Sequence, residues 1–410
     1  MTRYKRMDKH KMAMLNKQNV MRCIANYAPI NRAAIAKMVG LSIPSVMEIT
    51  DVLLAHGMIS SEMKRVASQG KRPELLSVCG DHYRFIGIDV GRTTVRIVLA
   101  GLDNKVIDMV KYPTSGVGDV RAFVNTMAKK VTALVKHSGI DISTIVGICV
   151  AMPGLIEYGT GRVIFSPNFG WADVPLQAWM NELLPYEVIV ENANRVQASW
   201  ELCRDHENEK RTIICIGLGY GIGAGFLQQG KLYYGASGTS GEIGHVPVDP
   251  DSDVSCSCGN TGCLEAMASG AAIANQVRRL VERKQAPMLE AMCQGDLNKI
   301  EAKMAFDAAK SGDKVAQMIL DNTARYVGIA LATTINILDP DRIYLCGGMM
   351  KNGPEFLETI KQQTFKRKMQ KTGRDTVILQ GDPDEWNVAR GAAQVVPYYN
   401  WESERLDFMR

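Results

Sequence analysis

The sequence predicts an α/β protein with a small winged helix-turn-helix domain at its N-terminus. Two observations predict this class. Three short amphipathic helices are expected between Asn16 and Ile59, and apolar strands alternate with helices from Tyr83 onward. The chain has 410 residues, of which 46% are hydrophobic, so two or three compact domains are expected.

Charge divides the chain into a basic N-terminal segment and a slightly acidic remainder. Residues 1–80 contain 13 Lys or Arg and 5 Asp or Glu, a net charge of +8, whereas residues 81–410 carry −3. This asymmetry indicates a polyanionic partner for the N-terminal segment alone. An ordinary solvated basic surface is the alternative.

Membrane and secretory signals are not evident in the sequence. The longest uncharged run, residues 212–230, contains six glycines, so it is typical of strands and a tight turn and not of a membrane helix. No long apolar segment follows the basic N-terminus, as a secretory signal would require. We therefore expect a cytoplasmic protein with no membrane partner, in which the ten cysteines form no disulfide framework.

The three N-terminal helices have clear boundaries. The first ends before Pro29, the second follows Asn31 as N-cap and ends at Gly40, and the third follows Ser42. The short turn between the second and third predicts a helix-turn-helix. The residues expected to face the core of this domain are Val20, Ile24, Tyr27, Ile35, Met38, Val39, Val46, Ile49, Leu53 and Leu54.

Several residues of this domain are candidates for contact with DNA. The third helix is expected to expose short or polar side chains that can reach base edges in a major groove. Residues 59–78 predict a two-stranded wing with a basic tip at residues 70–73 that can neutralise phosphates. The candidates are Arg32, Ser42, Ser45, Met47, Glu48, Lys71 and Arg72. A protein-docking module of the same shape remains an alternative.

The body has the pattern of an α/β fold. Strands are predicted at residues 85–91, 94–99, 145–150, 187–190 and 213–216, and helices at residues 120–137 and 176–183. The glycine-rich run at residues 217–225 predicts a turn whose backbone N–H groups can approach an anion or another ligand.

A cluster of one histidine and three cysteines is the most specific motif. His245 is followed by Cys256, Cys258 and Cys263, with two glycines that let the loop fold tightly. One imidazole and three thiolates form a ligand set for a closed, tetrahedral, structural zinc site. Three unrelated core cysteines are the alternative. Because no ligand position is open, the metal is given no catalytic role.

With further motifs, this cluster resembles the ROK family, which joins sugar kinases and sugar-responsive transcriptional repressors of bacteria. The residues that carry the resemblance are Asp89-Val90-Gly91-Arg92-Thr93, Pro153-Gly154, Asn168, Trp171, Glu191-Asn192, residues 217–225, Gly241-Glu242-Ile243-Gly244-His245, the cysteine loop and residues 338–348. The resemblance covers nearly the whole chain, and the N-terminal domain resembles the winged helix of the repressor branch.

The resemblance implies a two-lobed, actin/hexokinase-like (ribonuclease H-like) body with a zinc loop. A winged helix-turn-helix would occupy residues 1–80, and the first lobe residues 81–195 plus 385–410. Residues 196–384 would form the second lobe, with the zinc loop, sugar contacts and dimerisation surface. A sugar would bind between the lobes, since carboxylates and amides hydrogen-bond vicinal hydroxyls. The implied contacts are Asn168, Asn192, Glu242, His245 and Glu265.

The sequence departs from the ROK kinases at three positions. The kinases use as base an Asp after the Glu-Asn pair, whereas this chain has Ala193, which cannot accept a proton. Arg92 stands where the kinases prefer glycine in the first phosphate loop, and Tyr220 where the second usually has threonine. No Asp occurs between Asp173 and Asp205 to replace the base. We therefore expect no enzyme activity.

These inferences predict a sugar-responsive, DNA-binding transcriptional regulator, a repressor of genes for carbohydrate uptake or catabolism. Its expected partners are operator DNA, a sugar or sugar phosphate, and a second copy of the chain in a homodimer or a dimer of dimers. Its expected cofactor is a structural zinc ion. A bifunctional ATP-dependent sugar kinase that also binds DNA is the alternative.

Overall fold

A computed structural model describes residues 9–63, 74–371 and 376–402. The helices are α1 (Lys9–Tyr27), α2 (Arg32–Val39), α3 (Ile43–Ala55), α4 (Val120–Ser138), α5 (Leu176–Leu183), α6 (Ala193–Arg204), α7 (Leu264–Ala268), α8 (Gly270–Glu282), α9 (Pro287–Cys293), α10 (Ala302–Lys310), α11 (Lys314–Leu338), α12 (Pro354–Phe365) and α13 (Asn387–Glu402). The strands are β1 (Ile59–Met63), β2 (Glu74–Val78), β3 (Arg84–Val90), β4 (Thr94–Gly101), β5 (Val106–Pro113), β6 (Ile145–Met152), β7 (Leu155–Ile156), β8 (Val163–Ser166), β9 (Trp171–Val174), β10 (Glu187–Asn192), β11 (Thr212–Leu218), β12 (Ile222–Gln228), β13 (Lys231–Leu232), β14 (Arg342–Cys346) and β15 (Val377–Gln380).

The N-terminal part, which we call the head, is the predicted winged helix-turn-helix. The Asn31 side chain accepts a hydrogen bond from the N–H of Ala34 and caps α2, and Gly40 ends α2 in a left-handed conformation. Ser42 caps α3 by accepting from the N–H of Ser45. Strands β1 and β2 pair antiparallel as the predicted wing. The expected wing tip, with Lys71 and Arg72, lies outside the described residues.

The core of the head differs from the prediction at two positions. Val20, Ile24, Ile35, Val46 and Leu53 are buried as expected, and Val39, Ile49 and Leu54 are half-buried. Tyr27 and Met38 are instead 44% and 49% exposed, so their assignment to the core was wrong. Tyr27 is the last residue of α1, and Met38 is the last but one of α2.

Two five-stranded sheets form the body, and each is the centre of one lobe. The first lobe has the strand order β10-β6-β3-β4-β5 and the second β13-β12-β11-β14-β15. Both combine a parallel part (β10-β6-β3 and β11-β14-β15) with antiparallel strands. All predicted strands and helices of the body are confirmed, some with longer bounds. A small antiparallel sheet of β7, β8 and β9 lies beside the first lobe.

The glycine-rich run forms a much shorter turn than predicted. Only residues 219–221 form the turn between β11 and β12, and the other glycines lie in the strands. Gly225 permits close packing of α6 on β12, since a Cβ there would lie 2.5 Å from the carbonyl oxygen of Asn194. Part of the glycine pattern therefore serves helix-on-sheet packing.

Helix α6 lies between the two lobes. It packs against α13, which covers β3 and β6 of the first lobe, and against β11 and β12 of the second. The first residues of α6 follow β10 directly, so its N-terminus starts at the end of the first sheet. Helices α4 and α5 pack on the sheet of the first lobe, and α11 lies in the core of the second lobe.

Within the described residues, no single helix is long and apolar enough to cross a membrane. Only the bent pair of α2 and α3, taken together, has the required length and composition. Ile35, Val46 and Leu53 of this pair are buried in the core of the head.

Candidate ligand cleft and metal centre

A cavity of about 770 Å³ lies in the cleft between the two lobes. This size is typical of small-molecule sites, which range from about 300 to 1,000 Å³. The five residues implied as sugar contacts all line this cavity, namely Asn168, Asn192, Glu242, His245 and Glu265. The structure thus brings together residues from both lobes that are far apart in sequence.

Asn192 occupies the junction of the first sheet and α6. Its Oδ1 accepts hydrogen bonds from the N–H groups of Asn194 and Arg195, at 2.8 and 3.3 Å, and so caps α6. Its Nδ2 donates to the carbonyl oxygen of Gly154 at 2.8 Å. This side chain is therefore fixed by the fold, and one amide hydrogen remains for a ligand.

Two carboxylates approach the cavity from the second lobe. Glu265 lies in the first turn of α7, and its Oε2 accepts a hydrogen bond from the N–H of Ile222 at 2.8 Å. Glu242 lies with its Oε2 3.8 Å from Nε2 of His245, and burial raises the pKa of the Glu242 carboxyl. Each carboxylate keeps an oxygen for hydrogen bonding to a hydroxyl group.

The histidine and three cysteines converge next to this cavity. The ligand atoms of His245, Cys256, Cys258 and Cys263 all lie within 4.8 Å of one another. Nδ1 of His245 lies 3.5 Å from Sγ of Cys256, so Nδ1 faces the thiols and Nε2 faces Glu242. One imidazole can thus serve a metal and the ligand cavity through different nitrogens. The cluster is compatible with a structural zinc ion.

The metal cluster and Glu265 are joined by backbone. Cys263 is followed immediately by α7, and the N–H of Leu264 donates to the carbonyl oxygen of Val246 at 2.9 Å. A metal bound to Cys263 and His245 would therefore hold the start of α7 next to the segment that carries Glu242.

The hairpin tips of the two lobes meet at the edge of the cavity. Arg92 lies in the turn between β3 and β4, and Tyr220 in the turn between β11 and β12. The guanidinium carbon of Arg92 lies 3.5 Å from the centre of the Tyr220 ring, which is a cation–π contact across the cleft. The sequence marks both residues as departures from the kinases but does not predict that they touch.

Asp89 and Gln197 also line the cavity, and both have unusual environments. Asp89 pairs with Arg96 at 3.4 Å, and burial raises the pKa of its carboxyl to about 6 against the opposing effect of Arg96. Gln197 is 6% exposed, and its Nε2 has no hydrogen-bond partner among the described residues. Gln197 lies one turn after Ala193 on α6 and was not singled out from the sequence, where the only signal is that spacing.

The candidate DNA-contacting residues of the head fall into two groups. Met47 and Glu48 are exposed on α3, and Ser42 and Ser45 lie at its start, where their hydroxyl oxygens are 2.8 Å apart. Arg32 instead points into the head. Its guanidinium pairs with Glu74, lies 2.9 Å from Asp51 and donates to Thr50 at 2.8 Å. These contacts engage the Arg32 guanidinium within the head, so its predicted contact with DNA stays a prediction.

The head, the two lobes and the polar cleft define a protein that joins a winged helix-turn-helix to a sugar-kinase-like body. Residues 85–398 match the family model described as "ROK family". The chain belongs to the ROK family, and its head places it among the transcriptional regulators of that family.

Relatives of both branches are similar to this chain. A xylose repressor of Caldicellulosiruptor bescii is 30% identical over 87% of this chain and 88% of its own length. A glucokinase of Halalkalibacterium halodurans is 32% identical over 68% of this chain and 84% of its own length. The crystal structure of a ROK family transcriptional regulator, a homolog of the E. coli MLC protein, has a TM-score of 0.79 at 24% identity and covers 95% of this chain and 97% of the other.

Proposed function

We propose that this protein is a sugar-responsive, DNA-binding transcriptional repressor of genes for carbohydrate uptake or catabolism. One observation carries the proposal: a winged helix-turn-helix and a polar interlobe cleft occur in one chain, and the cleft has Ala193 where a kinase needs a base. The sugar or sugar phosphate would bind to Asn168, Asn192, Glu242, His245 and Glu265.

The remaining parts of the proposal follow from the same arrangement. Met47 and Glu48 of α3 would reach base edges, and Lys71 and Arg72 would contact phosphates. A structural zinc ion would bind His245, Cys256, Cys258 and Cys263. A cytoplasmic homodimer or dimer of dimers would place two heads on a pseudo-palindromic operator, with the lobes divided as the sequence predicts. Sugar binding would close the cleft and shift the population of head orientations.

A screen by thermal shift against hexoses, pentoses and their phosphates tests the effector site, because a ligand of the native state raises the melting temperature. Fluorescence anisotropy with a labelled duplex from the protein's own promoter region, with and without the stabilising sugar, tests DNA binding. We expect an affinity change of about 5–150-fold on sugar addition. Affinity that is insensitive to salt would favour a protein-docking head instead.

Glu265→Ala separates the two activities. We expect this variant to lose the sugar-induced shift and to keep its DNA affinity, since the head is unchanged. Glu282→Ala, an exposed carboxylate on α8, is the matched control and should behave as wild type. A sugar response that survives in Glu265→Ala would contradict the proposed site.

The glucokinase relative supports the bifunctional alternative, which sugar-dependent ADP release would reveal.

A further inference from the structure

The head is attached to the body on two sides, and the first attachment is apolar. Buried side chains of the head, including Leu76, and of the first lobe, including Phe85, form one continuous hydrophobic cluster. The Tyr83 hydroxyl also donates to the carbonyl oxygen of His56 at 3.0 Å. Because strand β2 of the head continues within a few residues into β3, this attachment is covalent as well as apolar.

The second attachment is polar and joins α1 to the second lobe. Nδ2 of Asn26 donates to Oε1 of Glu209 at 2.7 Å, and Nε of Arg22 lies 3.9 Å from the same oxygen. The ring of Tyr27 lies 5.9 Å from that of His206, centre to centre. Glu209 and His206 belong to a short 3₁₀ turn, His206–Lys210, and Glu209 is 26% exposed.

This turn is connected directly to the ligand cleft. It follows the C-terminal end of α6, whose N-terminal end begins at Asn192 in the cleft. Helix α6 has 12 residues and therefore spans about 18 Å. Its buried residues include Val196, Trp200 and Glu201, so the helix is packed against its neighbours along its length.

We propose that Glu209 is the docking residue that holds the head on the second lobe, and that this contact makes the orientation of the head depend on the angle between the lobes. The inference rests on the proposed function for the idea that a sugar changes that angle. When the lobes rotate, the head cannot stay fixed to both. The apolar attachment to the first lobe persists, because separating it would expose buried surface. The polar contact with Glu209 exchanges readily with water and is the one that changes.

The comparison of Glu209→Gln with Glu207→Gln tests this inference. Both positions lie in the same turn, but Glu207 is 71% exposed and pairs with Arg211 at 2.7 Å. Hydrogen exchange of the full-length protein is measured at the amides of residues 20–27. We expect at least fivefold faster exchange in Glu209→Gln and no change in Glu207→Gln, because Glu209 accepts a hydrogen bond from Asn26 of α1 whereas Glu207 pairs with Arg211. Equal exchange in the two variants would overturn the docking role.

The same measurement is repeated with D-xylose, D-glucose, N-acetyl-D-glucosamine and their phosphates. In the wild-type protein, each of these probes that raises the melting temperature should change the exchange of residues 20–27, and in Glu209→Gln it should not. A stabilising sugar with no effect on the wild-type head, or with the same effect in both proteins, would overturn the coupling. Failure of every sugar to stabilise the protein would contradict the proposed function, while the sugar-free comparison still decides the docking role.

Discussion

Asp89 is a carboxyl group whose ionisation opposes folding. Burial raises its pKa from 3.8 to about 6 in the folded protein, so the folded state binds a proton more tightly than the unfolded chain. The stability that this proton contributes is therefore present at low pH, declines as the pH rises from about 4 to 6, and is lost above that range. Arg96 offsets only part of the cost of burying the charge.

Asp89→Asn should remove this pH dependence, because an amide does not ionise. We expect the free energy of unfolding of the variant minus that of the wild-type protein to increase by about 1–2 kcal/mol from pH 5 to pH 8. Calorimetric melting at the two pH values measures the difference. Asp321→Asn, at an exposed position on α11, is the control and should show no such gain. A difference between Asp89→Asn and wild type that is the same at both pH values would contradict the assignment.

Cys263 provides a prediction about the metal. Cys263→Ser removes one of four converging ligands, so we expect loss of bound zinc and a fall in the melting temperature of about 5 °C or more. Zinc is measured by elemental mass spectrometry and stability by thermal melting. Cys293→Ser is the matched control, since Cys293 is also fully buried but lies outside the cluster. Wild-type protein that carries no zinc after purification in zinc-containing medium would contradict the metal site.

At the scale of elements, the polar and exposed residues of the head have two different roles. Some hold α2, α3 and β2 together, and others face outward. Arg32 is 17% exposed and joins Asp51 of α3 to Glu74 of β2. Its hydrogen bond lowers the pKa of the Glu74 carboxyl, so this stabilising pair is present near neutral pH and is lost on strong acidification. Met47, by contrast, is 46% exposed on α3.

We expect Arg32→Ala to lower both the stability of the head and its DNA affinity, because the variant leaves two carboxylates and the Thr50 hydroxyl without their partner. The expected loss is about 2 kcal/mol. Met47→Ala should weaken DNA binding with a stability change within about 0.5 kcal/mol. Thermal melting and anisotropy are measured on both variants. An Arg32→Ala protein with unchanged melting and weaker DNA binding would mean that Arg32 contacts DNA directly.

Local patterns predicted the elements well, and contacts between elements much less well. The bounds of α5 agree with the prediction at both ends, since apolar spacing and turn residues are local signals. That Asn168 and Glu265 lie in one cleft could be predicted only from the resemblance to the ROK family. Asn26 and Glu209 are 183 residues apart and Arg92 meets Tyr220 across two lobes. Neither contact leaves a pattern in the sequence at the spacing of a helix or a strand, so neither could be predicted.

At the scale of the whole molecule, the proposed loss of kinase chemistry involves more than the missing base at Ala193. Phosphoryl transfer needs a proton acceptor and also a cradle for the nucleotide phosphates. The contact between Arg92 and Tyr220 joins the two hairpin tips, so these bulky side chains occupy the edge of the cavity. Restoring a carboxylate at Ala193 supplies the base and leaves this contact in place.

We therefore expect neither the wild-type protein nor Ala193→Asp to release ADP in a sugar-dependent manner. A coupled assay with ATP, magnesium and the sugar panel measures this, and Ala193→Asn is a control of the same size without a base. Release by the wild-type protein would contradict the proposed loss of kinase chemistry. Release by Ala193→Asp but not by Ala193→Asn would show that nucleotide enters the cleft past Arg92 and Tyr220, so that the base alone had been missing.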